Sequence, residues 1–180
     1  MKPVRFIHCA DLHIDSPFKR ISAIDRNLGV LLYQSTYQSF NNVVELAIRE
    51  RVDCILIAGD IYDSADKSLR AQLKFRNGLS RLSNEGIPSF IVYGNHDPSD
   101  SWSASLEWPK DVFTFPHDKV ECRPLLKNGE VIAQICGISF AKRNIYENLA
   151  LKFTRVDGTV PCIGLLHANV GSNPEHGAYS

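Results

Sequence analysis

The chain has 180 residues, enough for one domain with a substantial core and tight for two. Hydrophobic residues make up 44% and charged residues 22%, an ordinary globular balance. Lys+Arg and Asp+Glu number 20 each, so bulk charge gives no case for nucleic acid or a membrane surface, and any such partner has to be argued from a site.

Val4 to Ala10 reads as a first short strand, apolar and buried on both faces, and it runs into Asp11-Leu12-His13. Asp11 to about Gly29 is polar and turn-rich, with Ser16-Pro17 as a breaker, and reads as a loop crossing the site. Tyr33, Tyr37, Phe40, Val44 and Ile48 then recur at spacings of four and three, one face of an amphipathic helix ending near Arg49-Glu50-Arg51. Val52 to Ala58 is the second strand and runs into Gly59-Asp60-Ile61-Tyr62-Asp63. Asp66 to Glu85 reads as a second helix with Leu69, Leu73, Leu79 and Leu82 on its core side and Gly86 as a stop. Ile87 to Tyr93 is the third strand, and it stops in Gly94-Asn95-His96-Asp97. This β-α-β-α-β order implies parallel strands.

After Pro98 the pattern changes. Asp100 to Pro116 lacks periodicity and is expected to be an irregular connection with a short helix. Lys127-Asn128-Gly129-Glu130 is a turn signal between strands at Val120–Leu126 and Val131–Phe140. Lys142 to Phe153 is expected as a short helix, Gly158 to Leu166 as another strand running into His167, and the tail to Ser180 as polar loop. A parallel half followed by a strand-rich half predicts an α/β protein with two sheets packed face to face and helices outside. A single domain spanning residues 1–180 is expected.

Five cysteines without a Cys-x-x-Cys pair, four of them in apolar runs, suit free thiols in a reducing cytoplasm rather than a disulfide framework or structural zinc. No apolar run nears the roughly 18 residues of a membrane span, so no membrane partner is expected. The N-terminus does not read as a signal peptide.

Each apolar strand thus ends in a residue that binds metal or moves protons, and in an α/β sheet ligands collect beyond the carboxyl ends of the strands. One shared site follows, built from Asp11, His13, Asp60, Asn95 and His167. Carboxylate, imidazole and amide oxygen without thiolate suit Mn²⁺, Fe²⁺ or Zn²⁺. Asp11 and His13 lie two apart, so on an extended segment one cation takes both. Asp60 offers a second oxygen to bridge that cation to another held by Asn95 and His167. Two such cations about 3.5–4 Å apart activate a water and clamp a phosphoryl group. His96 is the expected general acid for the leaving oxygen, with Asp97 holding its tautomer. Asp63 is expected to orient a ligand rather than bind metal.

Asp-x-His, Gly-Asp-x-x-Asp, Gly-Asn-His-Asp and a later His together resemble the calcineurin-like metallophosphoesterases. The stretches Phe6 to Phe18 and Ser68-Leu69-Arg70-Ala71-Gln72 are similar to the bacterial SbcD branch and to the YhaO-like exonucleases. The resemblance implies a four-layer α/β/β/α fold and Mn²⁺-dependent cleavage of DNA phosphodiesters, with Fe²⁺, Zn²⁺ or Mg²⁺ as alternative cations. It implies Asp11 and His13 on one metal, Asn95 and His167 on the other, Asp60 between them and His96 as acid. The implied partners are DNA and an SbcC-like ATPase subunit, with a homodimer as a further expectation. The family's closing Gly-His-x-His is not present, which predicts a piece lacking the last strands and with weakened metal binding.

Other readings compete. The same motifs serve phosphomonoesterases and nucleotide phosphodiesterases, and a scaffold acting through an ATPase partner would also fit the missing motif. His8 is expected to be structural, and His117 and His176 to be surface residues. Trp102 and Trp108 are expected in packing or at a partner surface. Lys67, Arg70, Lys74, Arg76 and Arg81 read as a solvated helix face.

Overall fold

The computed structural model describes residues 3–63, 67–100, 106–155 and 158–169. The expectations for Asp66, Trp102, His176 and the tail beyond Asn169 lie outside the described residues. Four strands, β1 (Phe6–Cys9), β2 (Cys54–Ala58), β3 (Ser89–Val92) and β4 (Val112–Thr114), form a parallel sheet in that spatial order. Helix α1 (Lys19–Ile24) and the long α2 (Arg26–Glu50) connect β1 to β2, and α3 (Leu69–Asn84) connects β2 to β3.

Three sequence expectations are corrected here. The segment expected as loop up to Gly29 contains α1 and the first turn of α2. The Asp25 carboxylate accepts hydrogen bonds from the Asn27 and Leu28 amides, an N-cap that starts the helix well before its apolar face begins. The connection expected between Asp100 and Pro116 holds β4, whose Phe113 stacks on Phe90 of β3. Strand β1 is half exposed, because it is an edge strand of the sheet.

The α2 face falls as its spacing predicts, with Tyr37, Phe40, Val44 and Ala47 buried. On α3 the buried face is Ala71, Phe75, Gly78, Leu79 and Leu82, while Leu69 and Leu73 are 53% and 40% exposed. Gly78 sets this rotation: a Cβ there would meet Phe40 Cζ at 2.8 Å, so only glycine lets α3 approach α2 this closely. Both helices cover one face of the parallel sheet, packing on Ile55, Ile57 and Ile91. Each such buried side chain contributes about 1.5–3 kcal/mol.

The alternate residues Leu56, Ala58, Phe90 and Val92 face the second sheet. That sheet is β5 (Glu121–Lys127), β6 (Glu130–Ile138) and β7 (Cys162–Leu166), with β5–β6 an antiparallel hairpin and β7 parallel to β6. Asn128 and Gly129 close the hairpin with φ of 54° and 80°, the left-handed pair that a two-residue turn requires. Leu125, Ala133, Ile135 and Leu165 fill the space between the sheets.

On the outer face of the second sheet, Ile138, Phe140 and Leu166 pack against Leu149, Ile145 and Phe153. The helix expected over Lys142–Phe153 is a single 3₁₀ turn, Leu149–Lys152. The layers therefore run helices, sheet, sheet and a thin outer cover, the α/β/β/α order. Among the described residues no helix is long and apolar enough to cross a membrane.

The cysteines are a further correction. Cys122 and Cys136 stand opposite each other on β5 and β6 and are joined by a disulfide. Cross-strand register places them together, a relation their sequence separation of 14 does not reveal.

Candidate metal centre

The site forms where β1, β2, β3 and β7 end. Beyond β1, the chain runs beside the turn after β2: the Asp11 amide donates to Gly59 O at 3.2 Å, His13 to Asp60 O at 3.0 Å and Ile14 to Ile61 O at 2.8 Å. Asp11, His13 and Asp60 all have positive φ, 52°, 42° and 49°. Non-glycine residues rarely take this conformation, and its concentration at one site marks backbone bent to present side chains.

Asp11, His13 and Asp60 each bring a ligand atom to within 4.8 Å of the others'. On the other side, His167 Nε2 lies 3.0 Å from Asn95 Oδ1 and 3.5 Å from Asp60 Oδ2. Asp60 Oδ2 is also 4.0 Å from His13 Nε2, so this buried carboxylate is shared between the two groups. All five expected ligands are brought together.

The imidazole of His167 is oriented from behind. Its Nδ1–H donates to Ala58 O at 2.8 Å, and Phe140 meets the ring edge-on at 5.6 Å. A carbonyl only accepts, so Nδ1 carries the proton and the Nε2 lone pair points at two oxygens. Lone pairs converge this way around a cation. The residues fit a metal ion, and the all-nitrogen-and-oxygen donor set fits a hard or borderline divalent one.

Gly59 and Gly94 serve the site for different reasons. Gly59 has φ +78°, and a Cβ on it would strike the His167 ring at 2.8 Å. Gly94 is required by proximity, since its Cβ would lie 2.6 Å from the Asp60 amide nitrogen.

His96 sits beside His13, ring centroids 5.1 Å apart, and its backbone N–H donates to Asp60 Oδ1 at 2.9 Å. Its ring Nδ1 donates to the Asp63 carbonyl at 3.0 Å, leaving Nε2 for proton transfer. This corrects the expectation for Asp97, which does not touch the His96 ring. Its fully buried carboxylate accepts from the amides of Ile61 at 2.8 Å, Gly94 at 2.9 Å and Asp60 at 3.2 Å, and so ties the two ligand loops together. Burial pushes Asp97 up to about 6, with the Asp60 charge adding to the rise. The Asp63 carboxylate lies 3.1 Å from His13 Nδ1, an ion-pair distance without a hydrogen bond between them.

Several residues had no sequence signal. His8, expected to be a structural residue of the first strand, is exposed on the edge strand and lines a groove of about 310 Å³ with Asp11, His167 and Asn169. Lys67, expected on a solvated face, is 7% exposed, with its ammonium 5.5 Å from the Tyr62 ring and 5.7 Å from the Tyr93 ring. It precedes the Ser68 N-cap, so helical periodicity does not apply to it. Arg70 lies over Tyr33 and Tyr37, whose hydroxyls both donate to Asp15. His117 is a surface residue, paired with Ser99 at 2.9 Å, and Trp108 packs edge-on against Phe75.

With this geometry in place, comparison with known proteins assigns the family. The sequence profile described as calcineurin-like phosphoesterase matches residues 4–178. The chain belongs to the calcineurin-like phosphoesterases. Members of this family use divalent metal ions, in keeping with the clustered His and Asp ligands. Within it, the chain is 37% identical over 174 residues to the metallophosphoesterase YhaO of Bacillus subtilis, covering 97% of this chain and 43% of that relative. It is 31% identical over 103 residues to SbcD of the Bacillus subtilis nuclease SbcCD, covering 57% of this chain and 24% of that one. The DNA double-strand break repair protein Mre11 of Sulfurisphaera tokodaii is 30% identical over 104 residues, 58% of this chain and 25% of the relative. The chain thus spans less than half the length of the curated relatives it matches.

Proposed function

We propose that this chain carries the centre of a two-metal phosphodiesterase that cleaves DNA. The observation that supports this most directly is the single buried carboxylate, Asp60, with Oδ2 4.0 Å from His13 Nε2 and 3.5 Å from His167 Nε2. Asp11 and His13 would hold one divalent cation, Asn95 and His167 the other, and Asp60 would serve both. Mn²⁺ is the proposed ion, ahead of Fe²⁺, Zn²⁺ and Mg²⁺. When bound, such a pair supplies a water activated at neutral pH and charge stabilisation for the phosphoryl oxygens.

The chain's own residues supply the rest. His96 gives its Nε2 proton to the departing oxygen, and the Asp63 carbonyl on Nδ1 keeps the ring in position for that transfer. Asp97 holds the Asp60 and Gly94 turns in register, so the ligands do not have to reorganise as charge develops.

DNA as substrate rests on the likeness to SbcD and Mre11, as does an SbcC-like ATPase partner; a homodimer and a cytoplasmic location belong to the same reading. The test is hydrolysis by the 180-residue chain after metal stripping and Mn²⁺ re-addition, with duplex ends, a small chromogenic diester and a chromogenic monoester side by side. Mn²⁺-dependent cleavage of DNA and diester, lost in His96→Ala for DNA, is expected. Turnover of the monoester alone would move the chain to a phosphomonoesterase reading. Calorimetric Mn²⁺ titration showing no binding would overturn the centre itself.

A further inference from the structure

Three of the five cysteines meet on the outer face of the second sheet. Side chains alternate along β6, so Cys136 shares a face with Ile138, while Ala133 and Ile135 enter the inter-sheet core. Cys122 stands directly opposite Cys136 on β5 and is bonded to it. On the other flank, parallel register pairs Cys162 of β7 with Gln134, one diagonal step from Cys136, and brings its Sγ to 3.5 Å from Cys136 Sγ. The sulfurs therefore form a row across three adjacent strands. Cys136, in the middle, is 1% exposed, Cys122 is half-buried, and Cys162 is exposed.

The remaining thiols lie outside this row and are chemically quiet. Burial pushes Cys9 up to about 12, and burial with the Asp53 charge does the same for Cys54. Cys162 instead opens onto a groove of about 460 Å³ lined by Phe153, Thr154 and Arg155. A guanidinium at the rim of a groove this size suits a small thiol carrying a carboxylate.

We propose that Cys122, Cys136 and Cys162 form a thiol–disulfide exchange site, with Cys162 the entry point for a low-molecular-weight thiol or disulfide and Cys136 the sulfur handed between two bridges. Within the chain, the Cys162 thiolate attacks Cys136 Sγ. The Cys136–Cys162 bond forms, the Cys122–Cys136 bond breaks, and the electron pair leaves on Cys122, which takes up the proton that Cys162 gave to solvent. One disulfide is lost and one gained, so no outside oxidant is needed.

Loading runs through the same row. Starting from three thiols, Cys162 attacks a small disulfide RS–SR, forming Cys162–SR and releasing RSH. Cys136 then attacks Cys162 Sγ and expels the second RSH, and Cys122 attacks Cys136 to give the observed bridge and return Cys162 to a thiol. The small disulfide is reduced and one protein disulfide is made. Cys136 also lines the Cys162 groove but is 1% exposed, so Cys162, the exposed sulfur beside it, is the one a solvent thiol meets first. The shifted bond ties β6 to β7, the strand that ends just before His167.

Cleavage after Lys119, Lys127, Lys142 and Arg155 places the three cysteines on separate peptides, so their pairing is readable by mass spectrometry. The 180-residue chain is equilibrated with reduced and oxidised glutathione at about pH 8, where thiolates exchange readily, then quenched, alkylated and mapped without reduction. Wild type is expected to give both the 122–136 and the 136–162 cross-linked peptides and a glutathione adduct on Cys162. Cys122→Ser should convert fully to the 136–162 bridge. Cys162→Ser should keep 122–136 as its one bridge and form and reduce it about tenfold more slowly. The proposal is overturned if wild type shows 122–136 alone at every glutathione ratio with Cys162 unmodified. It is equally overturned if Cys122→Ser leaves Cys136 and Cys162 both alkylated, or if Cys162→Ser matches the wild-type rates.

Discussion

The two sheets build the candidate metal centre by different means. The parallel sheet delivers four of the five candidate ligands from three consecutive strand ends, three of them on backbone bent into the left-handed region, with the Asp60 and Gly94 turns pinned by the Asp97 carboxylate. The second sheet delivers one, His167, from the end of β7, positioned by its hydrogen bond to Ala58 O and by contact with Phe140. The first arrangement is set by local backbone chemistry. The second depends on two sheets meeting in the right register, so the two halves should respond differently to mutation.

Asp60 belongs to both halves, and its loss should be the most damaging. Asp60→Ala removes the shared oxygen from each cation position, and several kcal/mol of charge stabilisation for each ion implies a fall in kcat/KM of about 10⁴-fold. Calorimetry should then show neither site filling; one filled site would show that the two ligand groups do not share this carboxylate. His96→Ala should cost about 10³-fold on DNA, within the range for a lost general acid. A diester with a p-nitrophenolate leaving group needs no proton, so it should lose far less, and equal losses on both substrates would refute the acid role. Mn²⁺ binding should be unchanged. His167→Ala tests the second sheet alone. It should weaken one of two Mn²⁺ binding events by about 100-fold and leave the other near wild type, where a uniform loss would mean the halves are not separable.

Much of this was legible because the ligands follow apolar runs in short motifs. Gly-Asp-x-x-Asp and Gly-Asn-His-Asp announce both a strand end and a donor set, and Asp11, His13, Asp60, Asn95 and His167 all converge as expected. What stayed hidden depends on pairing between distant segments. Cys122 and Cys136 look like isolated buried thiols until the hairpin register sets them side by side. Leu69 and Leu73 fit a helical stripe as well as Ala71 and Phe75 do, and the close approach of α2 at Gly78 decides between them. Asp97 follows His96 in the chain, and adjacency suggested a tautomer partner. The demand of four buried or half-buried backbone amides outweighs that, because an unpaired buried N–H costs about 1–3 kcal/mol.

Asp63 gives the smallest effect and the sharpest separation of roles. Its side chain faces His13 Nδ1 at 3.1 Å, while its backbone carbonyl accepts from His96 Nδ1 at 3.0 Å, so one residue stands behind a proposed ligand with one group and behind the proposed acid with another. Asp63→Asn changes only the first of these. Losing the carboxylate behind His13 removes the charge that makes the imidazole a stronger donor, and such outer partners are worth about tenfold in metal affinity at the low end of their range. The His96 contact is to backbone and survives. Asp63→Asn should therefore raise the Mn²⁺ concentration for half-maximal activity about tenfold while leaving rates at saturating Mn²⁺ and the leaving-group dependence as in wild type. If the leaving-group dependence shifts toward that of His96→Ala, the carboxylate and not the carbonyl positions the acid, and the division of labour within Asp63 is wrong.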